Sequence, residues 1–120
     1  RGQGSRVHAT TGTWLGALFE SLAAQSVRVY AEAADARIGH LRTKNTDHEI
    51  DLIVEASDRS TVAIEVKLTD TIRPADVEHL NWLAEQLGDR LVDRMIIYTG
   101  RHAYRRPDGI AVVPLALLGP

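Results

Sequence analysis

Cysteine is absent from this 120-residue chain, which excludes disulfides, thiolate zinc sites and cysteine nucleophiles. No apolar run approaches the length that spans a bilayer, and no charged-then-apolar leader resembles a signal peptide. The expected setting is therefore the cytoplasm, with no membrane partner. There is no G-x-x-x-x-G-K-[ST] phosphate loop, so ATPase activity is not expected within these residues. His8, His40, His48, His79 and His102 show no HExxH or paired-ligand spacing and read as surface or capping residues. Serine and histidine do not meet in a nucleophile-elbow context. A basic surplus is lacking too: the formal net charge is -2, which does not by itself advertise a nucleic-acid binder.

What is present suits one globular domain. Hydrophobic residues make up 44% and charged residues 25% of the chain, ordinary values for a soluble protein whose length allows an adequate core. The near-neutral total hides a sorted distribution. From Pro74 to Asp93 the acids Asp76, Glu78, Glu85, Asp89 and Asp93 face Arg90 alone, whereas Arg94, Arg101, Arg105 and Arg106 precede the next acid, Asp108. Residues 1–12 are polar, Gly-rich and without periodicity, and read as a linker or an expression remnant ahead of a domain over 13–120. The chain thus reads as a piece of something longer.

Periodicity orders the elements. Leu15, Leu18, Phe19 and Leu22 form a helical stripe that Thr11 or Thr13 can cap. "VRVYAEA" alternates as a strand over Val27–Ala31, "ARIGHLRTK" is a weaker strand, and "HEIDLIVEA" places Ile50, Leu52 and Val54 on one face. "TVAIEVKL" is the strongest strand, with Ile64, Val66 and Leu68 toward the core. A helix follows from Pro74 to Gly88, with Val77, Leu80, Ala84 and Leu87 as its buried stripe. "DRMIIYTG" reads as a buried strand, "RHAYRRPDG" as a basic loop, "IAVVP" as a last strand and "LALLGP" as a closing turn. The Pro74–Gly88 helix has the crossover length that a parallel strand pair needs. The expected fold is α/β, a mixed central sheet flanked by helices.

Chemistry concentrates in "IEVK". Glu65 and Lys67 lie two apart on a strand and share a face, as a solvated ion pair or as part of a site. Through the "ASDRST" turn, Asp51 falls opposite Glu65, and two adjacent carboxylates repel unless a cation lies between them. Glu20 is the only charged residue between Thr13 and Val27 and has Gly16, Ala23 and Ala24 at helical spacing. A lone carboxylate on such a helix faces a cation, a lysine or a polar cleft, unless it pairs with an arginine at the surface. Trp14 and Trp82 read as packing residues. Arg101, Arg105 and Arg106 with Tyr104 can hold phosphate and sugar or base, or can form a merely solvated loop.

A leading helix with Glu20, "EID" ending on Asp51 and "EVK" across a hairpin resemble the PD-(D/E)XK nuclease superfamily, over Thr13 to Val113. Ile50 stands where that signature has proline. More narrowly, "GTWLGALFESLAA", "HEIDLIVE", "AIEVKLTD" and "GIAVVPL" resemble a C-terminal domain of unknown function that follows an AAA+ ATPase module in bacterial and archaeal proteins. The resemblance implies a restriction-endonuclease-like core. Asp51, Glu65 and the Val66 carbonyl would then hold Mg²⁺ or Mn²⁺, with Glu20 an outer ligand through water. Lys67 would act on the attacking water and the phosphate. The expected function is metal-dependent DNA hydrolysis, or a relic of it, by a candidate Mg-dependent deoxyribonuclease attached to an upstream ATPase. Self-association is compatible with that reading. The alternative is a non-catalytic module that binds nucleic acid or protein and steers the ATPase.

Overall fold

The computed structural model describes residues 2–44 and 47–118, with side chains from Gly16 onward. A first helix, α1 (Gly2–Ala33), leads into a six-stranded mixed sheet. The strands are β1 (Arg37–Arg42), β2 (Glu49–Glu55), β3 (Thr61–Val66), β4 (Leu91–Tyr98), β5 (Tyr104–Arg105) and β6 (Ala111–Pro114), and α2 (Glu78–Leu87) connects β3 to β4. Across the sheet the order is β1-β2-β3-β4-β6-β5. The first three strands form an antiparallel meander, β3, β4 and β6 run parallel, and β5 closes the far edge antiparallel to β6. The expected crossover is present: α2 carries the chain from β3 to its parallel neighbour β4.

Helix α1 extends beyond both expected ends. It starts at Gly2, ahead of Thr11 and Thr13 and through the segment read as a linker. It also continues through "VRVYAEA", so the strand expected at Val27–Ala31 does not form. The reason is a four-residue repeat that the alternation concealed. Phe19, Ala23, Val27 and Ala31 are all buried, a single stripe at helical period. Leu18 and Leu22, expected in that stripe, are exposed instead. The helix ends where Asp35 adopts φ 56°. The Ala36 N–H donates to the Ala31 carbonyl at 2.8 Å and the Asp35 N–H to the Glu32 carbonyl at 3.1 Å, the pair of hydrogen bonds that closes a helix through a left-handed residue.

The sheet has a helix on each side. Phe19, Ala23 and Val27 of α1 pack with Ile64, Val66 and Ile97 on one face. Val77, Leu80 and Leu83 pack with Ile50, Ala63, Ile96, Tyr98, Ile110 and Val112 on the other. Leu83, rather than the half-buried Ala84 and Leu87, thus completes the α2 stripe. Gly88 stops α2 at φ 55°, its N–H on the Ala84 carbonyl, a backbone state that glycine enters without strain.

Strand β2 departs from simple alternation. Gly39 pairs with Ile53 but Leu41 pairs with Ile50, so β2 carries an extra residue there. This is a bulge at Asp51–Leu52, which re-aims side chains. Ile50 therefore joins the α2 side, while Leu52 and Val54 pack toward α1. The three do not share the face expected of them. Leu68, past the end of β3, is exposed rather than core.

Candidate functional site

The β2–β3 ladder runs from Glu55↔Thr61 to Leu52↔Ile64, and one step further this register brings Asp51 opposite Glu65. There the carboxylates take over the ladder's hydrogen bonds. Val66 N–H donates to Asp51 Oδ2 at 2.7 Å, and Asp51 N–H donates to Glu65 Oε1 at 3.2 Å. Strand N–H groups point along the sheet plane, so both carboxylates occupy the gap between the strands. The expected proximity is present. Its form differs from two side chains standing on one flat face, because the bulge turns Asp51 out of the α2 face to which alternation assigns Glu65.

The Lys67 ammonium lies 3.2 Å from Glu65 Oε2, so the "EVK" pair is a real ion pair. It is not a solvated one: Glu65 is only 3% exposed. Burial, and then the charge of Asp51, push the Glu65 carboxyl above its ordinary range, against an opposing pull from Lys67. On the α1 side, a cleft of about 180 Å³ is lined by Glu20, Ala24, Asp51, Leu52 and Val66. Glu20 is solvent-exposed at this cleft rather than buried, so it needs no compensating partner.

The donors suit a hard cation in kind, since Asp51, Glu65, Glu20 and the Val66 carbonyl are all oxygen ligands. Asp51 Oδ2 is engaged by Val66 N–H, and Asp51 lines the cleft. Both Glu65 oxygens already have a partner, and each keeps a lone pair for a further one. Among the described residues no group of three or more His, Asp or Glu side chains converges as a ready-made cage. The fork therefore brings two carboxylates together, with Glu20 lining the same cleft as Asp51.

The basic loop is placed elsewhere. Tyr104 and Arg105 form β5, with β6 and β4 between it and β3. Arg105 donates to Asp93 Oδ1 at 2.8 Å and to the Gly109 carbonyl at 2.7 Å, and Arg106 Nε lies 3.2 Å from Asp108 Oδ1. These guanidiniums tie strands and turns together. Arg101 is exposed, in the segment that follows β4, at the sheet end that carries the fork. The three arginines do not form one surface beside the carboxylates.

One cluster was not legible in advance. His48, just before β2, stacks on Trp82 of α2 with ring centroids 3.9 Å apart and an interplanar angle of 7°. Its Nδ1 lies 3.3 Å from Nδ1 of His79. The i, i+3 spacing of His79 and Trp82 already put those two on one side of a helix. Nothing in the sequence set His48 against them.

The family model described as a domain of unknown function, DUF4143, matches residues 15–118. No curated protein and no solved structure matches the chain. No described helix is long and apolar enough to cross a membrane.

Proposed function

The chain belongs to the DUF4143 family of domains of unknown function, and we propose that its β2–β3 fork serves metal-dependent hydrolysis of DNA phosphodiesters on a PD-(D/E)XK-type core. The observation that carries this reading is the fork itself. Asp51 and Glu65 bond each other's strand where the ladder stops, Lys67 is held on Glu65, and Glu20 borders the cleft onto which Asp51 opens. Adjacent carboxylates are an unfavourable arrangement that a hard cation, Mg²⁺ or Mn²⁺, relieves. Such a cation, when bound, activates water and offsets charge on the phosphate. Asp51 supplies one oxygen and Glu65 the second, while Glu20 orders solvent. Lys67 presents an ammonium to water and phosphate, its position fixed by Glu65. The domain works in the cytoplasm as the C-terminal part of a larger ATPase.

A second reading, a non-catalytic module for nucleic acid or a partner protein, is favoured by a different observation. Glu65 is buried with both oxygens engaged, and Arg105 and Arg106 are occupied in ion pairs. A fork satisfied within itself holds the meander together without any cation.

The two separate by experiment. Calorimetric titration with Mg²⁺ and Mn²⁺ is run beside nicking assays on plasmid and single-stranded DNA. The nuclease reading expects binding of metal and cleavage that depends on it. Binding without cleavage supports the interaction module, and absence of both removes the nuclease reading.

A further inference from the structure

We propose that His48 and His79 form a two-nitrogen site for a divalent transition metal of the Zn²⁺ type, on the α2 side of the sheet and independent of the carboxylate fork. The two Nδ1 atoms lie 3.3 Å apart while the ring centroids are 5.4 Å apart, so both nitrogens are on the facing edges of their rings. Two Zn–N bonds of 2.0–2.1 Å at a tetrahedral angle place their nitrogens about 3.3 Å apart. The pair is thus already spaced as two ligands of one ion.

Both rings are held from outside the pair. His48 lies flat on Trp82, and His79 sits in the first turn of α2, one residue after its start. Without metal, one Nδ1 carries a proton that the other accepts. Metal entry needs only that this proton move to Nε2 of the same ring, leaving two neutral imidazoles with two converging lone pairs and no net proton release. Both side chains are half-buried, so neither ring is sealed from solvent. Glu49, next along the chain, is committed to Arg42 at 2.8 Å, and water fills the remaining positions. Imidazole ligands favour Zn²⁺, Ni²⁺ or Cu²⁺ over Mg²⁺, which sets this site apart from the oxygen-lined fork. A bound ion ties the residue that enters β2 to the first turn of α2, and so stabilises the folded chain.

The test is calorimetry with ZnCl₂ in the presence of excess Mg²⁺, on the wild type and on His48→Phe, His48→Ala, His79→Ala, His40→Ala and Asp51→Asn. Far-UV circular dichroism checks each fold, and His48→Phe keeps a ring on Trp82 while removing the nitrogen. The expected result is one Zn²⁺ per chain that Mg²⁺ does not displace. Affinity falls about tenfold or more in the His48 and His79 variants, and stays unchanged in His40→Ala and Asp51→Asn. Zn²⁺ raises the thermal midpoint of the wild type but not of His48→Phe. A wild type that binds no Zn²⁺, binding that survives in folded His48 and His79 variants, or binding lost in Asp51→Asn overturns the proposal.

Discussion

Glu65 is the residue on which the site's electrostatics turn. Folding places it in a buried gap beside Asp51 and lifts its carboxyl above the ordinary value of 4.5. The folded protein therefore holds that proton more tightly than the unfolded chain. The group's contribution to stability is full below pH 4.5 and is lost as pH rises from there through the raised value. Glu65→Gln keeps an oxygen for Asp51 N–H and removes the charge, so urea midpoints of the variant should fall less than those of the wild type across that window. Parallel profiles would show that another group sets the slope. In the hydrolytic reading the neighbours have separable roles. Glu65→Ala should abolish metal binding and cleavage together, whereas Lys67→Ala should keep the metal and lose the cleavage. Calorimetry and nicking on the same preparations check this, and loss of metal in both would make Lys67 a structural partner only.

At the scale of elements, one turn and one edge carry their own predictions. The β2–β3 turn closes through Arg59 at φ 75°, with Arg59 N–H on the Ala56 carbonyl at 2.9 Å and Ala56 N–H on the Ser60 carbonyl at 2.9 Å. An arginine there bears a left-handed backbone that glycine adopts freely, and its ion pair to Glu55 is long, 3.9 Å, and exposed. Arg59→Gly should raise stability by roughly 0.5–1 kcal/mol by urea unfolding. A loss would assign more to that ion pair than surface pairs usually carry. At the β5 edge, the hydrogen bond from Arg105 holds Asp93 below its ordinary range of 3.8. That contact stabilises above pH 3.8 and is lost as pH falls through the lowered value. Arg105→Ala should lower stability at neutral pH slightly by urea unfolding, while Arg101→Ala, in a loop and unpaired among the described residues, should change it little. Equal effects would mean that the strand-to-strand tie contributes nothing.

For the molecule as a whole, the central sheet joins two cores. Ile97 is fully buried toward α1 and Leu80 fully buried toward the sheet from α2. Truncating either leaves a cavity, so Ile97→Ala and Leu80→Ala should each cost about 2–5 kcal/mol. Because β3 and β4 contribute to both faces, each variant should still unfold in one transition, coincident by circular dichroism and tryptophan fluorescence. Separate transitions would show that one helix layer comes away before the other.

Local pattern was enough for much of this. The Gly88 stop, the α2 crossover and the strands β2, β3, β4 and β6 follow from period, punctuation and length, because each depends on residues a few positions apart. The register that sets Asp51 opposite Glu65 was legible as well, since a hairpin relates its strands by counting outward from the turn. Three things needed the folded chain. Helix α1 continues through "VRVYAEA" because the sheet offers Phe19, Ala23 and Val27 one continuous surface, and burial there outweighs a short alternation. The bulge at Asp51–Leu52 arises from pairing with β1, which no property of the β2 segment announces, and it decides which side Asp51 serves. His48 meets His79 and Trp82 only because α2 packs across the sheet end where β2 begins, a contact between His48 and a residue 31 positions further along the chain. Sequence spacing carries no record of such a meeting, since its energy comes from surfaces that exist only once both layers have formed.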